Sequence, residues 1–84
     1  MRIYMQTSAA DEIAPKYYQL LTQEDLLEGW WLIREWGVPG GRITVKRKHF
    51  DTFDDAMEAM MRFRDKQLRC GFKIVFAEGH TTAL

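Results

Sequence analysis

One stretch of this chain repeats its apolar residues at helical spacing, and it dictates most of what the remainder can become. Phe53, Ala56, Met57, Met60, Phe63 and Leu68 form a wide apolar stripe, with Glu58, Arg62, Asp65, Lys66 and Arg69 mainly on the other side. Asp51 or Thr52 can cap the start, and Asp55, three residues beyond Thr52, resembles a capping box. Gly71 suits a left-handed stop after Cys70. The expected helix is about 19 residues and about 28 Å long. The rest reads as strands and turns, so the fold class is α+β: a small, hairpin-rich antiparallel sheet with one long amphipathic helix packed on one face. A single helix cannot cover both faces, and the second is left to solvent.

Residues 2–6 alternate in polarity and predict an edge strand, with Ile3 and Met5 on one face and Tyr4 on the other. Residues 7–14 are small and polar, as in a loop, and residues 16–22 read as a second strand rich in aromatic and branched side chains. An acidic connection at residues 23–29 leads to the strongest strand signal, residues 30–36. Its faces are Trp30, Leu32, Arg34, Trp36 and Trp31, Ile33, Glu35, and alternation leaves open which is inner. Pro39-Gly40 suits the central pair of a type II turn, so residues 37–41 reverse the chain into a strand over residues 42–50. That strand sets Thr44, Lys46 and Lys48 against Ile43, Val45, Arg47 and His49. Phe72, Ile74 and Phe76 begin a last strand, and residues 77–84 read as a flexible tail around an ordered core of about residues 2–76.

Eighty-four residues leave room for one hydrophobic core and hence one domain. No apolar run approaches the roughly 18–20 residues of a membrane span, and the first residues lack the apolar core of a secretory signal. Cys70 is the only cysteine, so no intrachain disulfide forms and a reduced, cytoplasmic setting is expected. Twelve basic residues cancel twelve acidic ones, which argues against coating nucleic acid by net charge. The distribution is uneven: Arg42, Lys46, Arg47 and Lys48 lie in a stretch without acids, and Asp51, Asp54, Asp55 and Glu58 in one without bases. The acidic run fits the first turn of a helix. The basic run is either a solvated edge that discourages sheet-to-sheet pairing or a patch for phosphates.

Tyr17-Tyr18 with Leu20-Leu21, the string from Gly29 to Gly37 that contains Trp30-Trp31-Leu32-Ile33-Arg34-Glu35-Trp36, then Gly40 and His49-Phe50-Asp51-Thr52, together resemble the WGR domain. That family occurs in DNA-dependent poly(ADP-ribose) polymerases and in bacterial proteins. The resemblance covers about residues 15–71 and implies nucleic-acid binding, with the motif Trp packing on a terminal sugar and the motif Arg meeting the backbone. Trp36 matches the motif Trp. Val38 stands where the motif Arg would be and supplies neither charge nor donor; Arg42, across the turn, is a substitute cation.

Trp36 is either an aromatic closing the end of a small core or a flat plate beside Arg34 and Arg42 that stacks on a sugar or base. Arg34, Arg42, Lys46 and Lys48 are the candidate phosphate contacts, with DNA, or RNA, as the expected partner. The alternative partner is another protein, docking through Trp30, Tyr17 and Met61 on an uncovered aromatic face or a helix edge. Met57 and Met60 read as core filler, and Met61 as the exposed methionine of the three. Residues 37–41 lack P-loop spacing. Cys70, His49 and His80 have no zinc-binding spacing, Ser8 has no nucleophile context, and Glu24-Asp25 are adjacent turn acids. The expectation is a non-enzymatic binding module with no metal, cofactor, small-molecule substrate or membrane partner.

Overall fold

The computed structural model describes residues 1–8 and 15–79. In chain order the elements are β1 (Arg2–Gln6), β2 (Tyr17–Glu24), β3 (Trp30–Gly37), β4 (Ile43–Phe50), α1 (Phe53–Arg69) and β5 (Lys73–Glu78). The five strands form one antiparallel sheet in the order β4-β3-β2-β1-β5, and α1 packs on one face, the α+β arrangement expected. Thr7 and Ser8 are irregular, and the rest of the predicted loop, like the tail beyond residue 79, lies outside the described residues.

The place of β1 in the sheet differs from the expected one. β1 is not an edge strand, because β5 pairs along its outer side and becomes the edge. Alternation reports which side chains are buried on one face and carries no information about what lies alongside. The pairing joins segments some seventy residues apart and can be made only after α1 has crossed the sheet. Ala77 pairs with Ile3, so β5 continues past the point where a tail was expected.

The crossing follows from the order of strands. β4 and β5 are opposite edges, and α1 alone connects them. Four inter-strand gaps span about 19 Å, and 17 helical residues reach about 26 Å. Both ends of α1 are closed by local chemistry. Thr52 caps the start, its Oγ1 accepting from the Asp55 amide at 3.1 Å. At the far end the Gly71 amide donates to the Leu68 carbonyl and the Phe72 amide to the Gln67 carbonyl, a Schellman motif with Gly71 at φ +102°.

The helix selects the inner face. Ile3 and Met5 of β1, Tyr18 and Leu20 of β2, and Leu32 of β3 are buried against Ala59 and Met60. Each such large apolar side chain contributes roughly 1.5–3 kcal/mol when removed from water. Met57, Met61, Phe63 and Phe72 pack around this centre. Met61 is therefore half-buried against the core and not the exposed methionine expected from the stripe; a wide stripe on a sheet that twists beneath it meets more of the helix than spacing alone suggests. Leu68, counted in the stripe, is exposed because it lies in the last turn.

On the outer face Phe76 of β5 stacks on Tyr4 of β1 (6.1 Å between ring centres), and Tyr4 stacks on Tyr17 of β2 (5.9 Å). Arg2 lies over Phe76 at 5.1 Å. At the acidic end of that face Trp31 meets His49 edge-on at 5.0 Å, with Arg47 over its ring at 5.9 Å.

The β3–β4 turn is the one expected. The Gly41 amide donates to the Val38 carbonyl at 2.8 Å, and Gly40, at the third position, has φ +78°, a type II value. Gly37 meets a stricter demand. A Cβ there would sit 2.3 Å from the Arg42 carbonyl oxygen, so the Trp-Gly pair exists because the returning strand passes over its second residue. At Gly40 a Cβ meets only open space. Gly40→Ala should therefore cost about 1–2 kcal/mol, the left-handed penalty alone. Gly37→Ala should cost clearly more, since backbone must also move. Urea unfolding of the two variants beside the parent checks the order.

Candidate nucleic-acid interface

The antiparallel register decides which candidate residues meet. Trp36 lies opposite Thr44, Arg34 opposite Lys46, and Leu32 opposite Lys48. Residues paired across strands share a face, so Trp36, Arg34, Lys46 and Lys48 all stand on the helix side of the sheet. Arg47 alternates to the outer face, over Trp31. The basic run is thus split by the pleat. Lys46 and Lys48 are exposed and about 7 Å apart along an edge strand, with the Lys48 ammonium 5.3 Å from the Phe50 ring.

Trp36 is half-buried, and one neighbour is set by register: Tyr18, directly across on β2, stacks on the indole at 5.4 Å and 10°. Phe72 meets Tyr18 edge-on at 5.9 Å. The Arg34 guanidinium is 4.0 Å from the Phe63 ring centre and 5.3 Å from that of Trp36, and it donates to the Tyr18 hydroxyl at 3.3 Å. Arg34 therefore ties the helix to the indole. Its charge is half-buried among aromatic rings, where it offsets its desolvation by cation–π contact and a hydrogen bond.

Beyond Trp36 the end of the sheet opens into a cavity of about 320 Å³. Trp36, Val38 and Phe72 form its apolar wall, Tyr17 and Thr44 also line it, and Arg42 and Lys16 bring positive charge. Val38 and Arg42 flank the turn and line the same cavity, so a cation is present beside Trp36 although the position after Gly37 is apolar. Of the five candidate residues, Trp36 and Arg42 share this cavity, Arg34 lies behind the indole, and Lys46 and Lys48 extend along β4.

The three residues assigned to a protein partner do not form one surface. Trp30 is on the helix side, edge-on to Phe53 at 4.7 Å; Tyr17 is on the outer side and buried; Met61 is on α1 against the core. Sequence reasoning missed Lys16, Thr44 and Phe72 as cavity residues. For Phe72 a signal was present: it follows the left-handed glycine, the position whose apolar side chain folds back on the last helical turn. For Lys16 no pattern marks proximity to a turn some twenty-five residues away.

Among the described residues, Tyr17 supplies the one strongly displaced titration. Its hydroxyl donates to the Glu35 carboxylate at 2.7 Å. That hydrogen bond first, then burial and the Glu35 charge, push its pKa from 10.0 up to about 12. The fold holds the neutral phenol, so the stabilisation is complete below about pH 10 and is lost as pH rises towards 12. Glu35→Gln should bring the phenol back towards 10 and flatten the alkaline loss of stability, read by absorbance titration and by unfolding from pH 9 to 12.

Comparison with curated proteins and with solved structures returns no match. Among protein families, the WGR domain matches residues 1–75, most of the 84-residue chain. WGR domains are in general nucleic-acid-binding modules. The Trp36-Gly37 hairpin, the five-stranded sheet and the single crossing helix lie almost wholly within the matched span, and this chain belongs to the WGR domain family.

Proposed function

We propose that this domain binds DNA ends or structured sites, with Trp36 as the stacking plate and Arg42 as the cation that replaces the missing motif arginine. The observation that carries this reading is the shared cavity: Trp36, Arg42 and Thr44 line one opening at the end of the sheet. An apolar plate beside a cation and a donor suits a terminal nucleotide, whose sugar and base are flat or apolar and whose phosphate is anionic. Lys46 and Lys48, exposed on the same face, continue the positive charge away from the cavity along β4. Arg34 acts behind the plate: it holds the indole against Tyr18 and adds charge beneath it.

Zero net charge fits recognition of a local feature better than binding along extended duplex, which rewards total charge. RNA presents the same phosphates, and comparing DNA with RNA oligonucleotides of one sequence decides between them.

A labelled blunt-ended oligonucleotide titrated at low salt tests the reading by anisotropy. Trp36→Ala should weaken binding by about 1–3 kcal/mol, roughly five- to 150-fold. The slope of log affinity against log salt should lie near −2 to −4, and Lys46→Ala or Lys48→Ala should each reduce it by about one. Val38→Arg should strengthen end binding about tenfold. Equal affinity of the parent and Trp36→Ala would remove the stacking role.

A further inference from the structure

The two ends of β3 carry opposite chemistry. At the end remote from the cavity, the β2–β3 connection holds Leu26 and Leu27 at 102% and 95% exposure, the most exposed large apolar side chains among the described residues. Glu24, Asp25 and Glu28 flank them in sequence with no base between Gln23 and Gly29, and Arg47 of β4 is the one base lining the groove beside them. This connection is well tied. The Asp25 amide donates to the Gly29 carbonyl at 2.9 Å, while the Asp25 carboxylate accepts from the Leu27 amide at 2.9 Å and from the Trp31 indole at 2.8 Å. The His49 ring lies 2.8 Å from the Glu28 carbonyl oxygen. Two leucines are thus held in water on a braced turn. Apolar groups presented in that way mark contact surfaces, and the bracing lowers the entropic cost of docking.

The opposite end has the complementary form. Its cavity has an apolar wall of Trp36, Val38 and Phe72 and a cation, Arg42, at the turn. An apolar tip with an acidic collar faces an apolar cavity with a cationic rim, and the chain that is neutral overall is polar along β3. Eight residues of strand separate the two by about 25 Å. One chain cannot place its tip in its own cavity, but a second copy can.

We propose that copies of this domain associate head to tail, with Leu26 and Leu27 of one seated against Trp36, Val38 and Phe72 of the next and the acidic collar facing Arg42. The contact is heterologous, so association does not stop at two copies unless the rotation closes a ring. It uses the cavity assigned above to nucleic acid, but it stands apart from that reading, since association is measured with no oligonucleotide present. The two readings together make self-association and nucleic-acid binding mutually exclusive at one cavity.

Sedimentation of the 84-residue chain over a range of concentrations tests the proposal. The expected weight-average mass rises from 9.9 kDa past twice that value and falls again with added salt. A Leu26→Ser/Leu27→Ser variant and an Arg42→Glu variant, all at exposed positions, should each remain monomeric with unchanged circular dichroism. Mixed in equal amounts they should associate and stop at a pair, because one retains the cavity and the other the tip. A parent chain that stays at 9.9 kDa up to roughly millimolar concentration overturns the proposal. So does a parent that stops at a dimer, which would place the leucines in a symmetric contact such as the groove beside Trp31 and Ile33. Failure to bind DNA, with head-to-tail association intact, would count against the nucleic-acid reading alone.

Discussion

A single helix must carry the chain from one edge of a five-stranded sheet to the other, and the path it takes decides what every other side chain meets. The helix begins beside β4, crosses β3 and β2, and releases the chain to pair with β1. Its apolar stripe gives Leu20, Leu32, Ile3 and Met5 their burial. Without that layer, a sheet of short strands with half its faces apolar would have no dry interior, and the hairpins alone would be marginal in water.

The same crossing positions the candidate site. Because α1 passes over Arg34, Phe63 captures the guanidinium, and Arg34 in turn lies against Trp36. The indole is held from behind by a cation and from the side by Tyr18, and its remaining surface lines the terminal cavity. An indole held in this way would lose little entropy on meeting the proposed ligand. The Trp-Gly pair belongs to the same construction: the indole needs the strand end, and Gly37 is what lets β4 return closely enough to bring Arg42 and Thr44 to the cavity.

Much of this was legible in the residues. The helix, its Thr52 cap and its Gly71 stop, the strand alternation and the type II turn at Pro39-Gly40 all follow from short-range chemistry and appear within a few residues of where they were expected. The pairing of Lys46 and Lys48 on one face with Arg47 on the other needed only the period of a strand. The edge status of β1, the half-burial of Met61 and the presence of Lys16 at the cavity were not legible, since each depends on contacts between segments far apart in the chain. The aromatic face was also ambiguous. Trp30 and Trp36 alternate as regularly with Trp31 as the reverse, and only the side chosen by α1 separates them.

By itself, the sequence determined the elements, their hydrogen-bonded ends, the turn and the membership of the WGR family, because period, capping and glycine placement act over a handful of residues. The tertiary structure alone decided which face is inner, which strand is the edge, and that Arg42 stands in one cavity with Trp36 while Leu26 and Leu27 stand in water at the other end of β3. The physical reason is one of range. Backbone hydrogen bonding and side-chain period are local, whereas burial is a property of whatever distant surface comes to rest on a residue, and here that surface is carried by one helix.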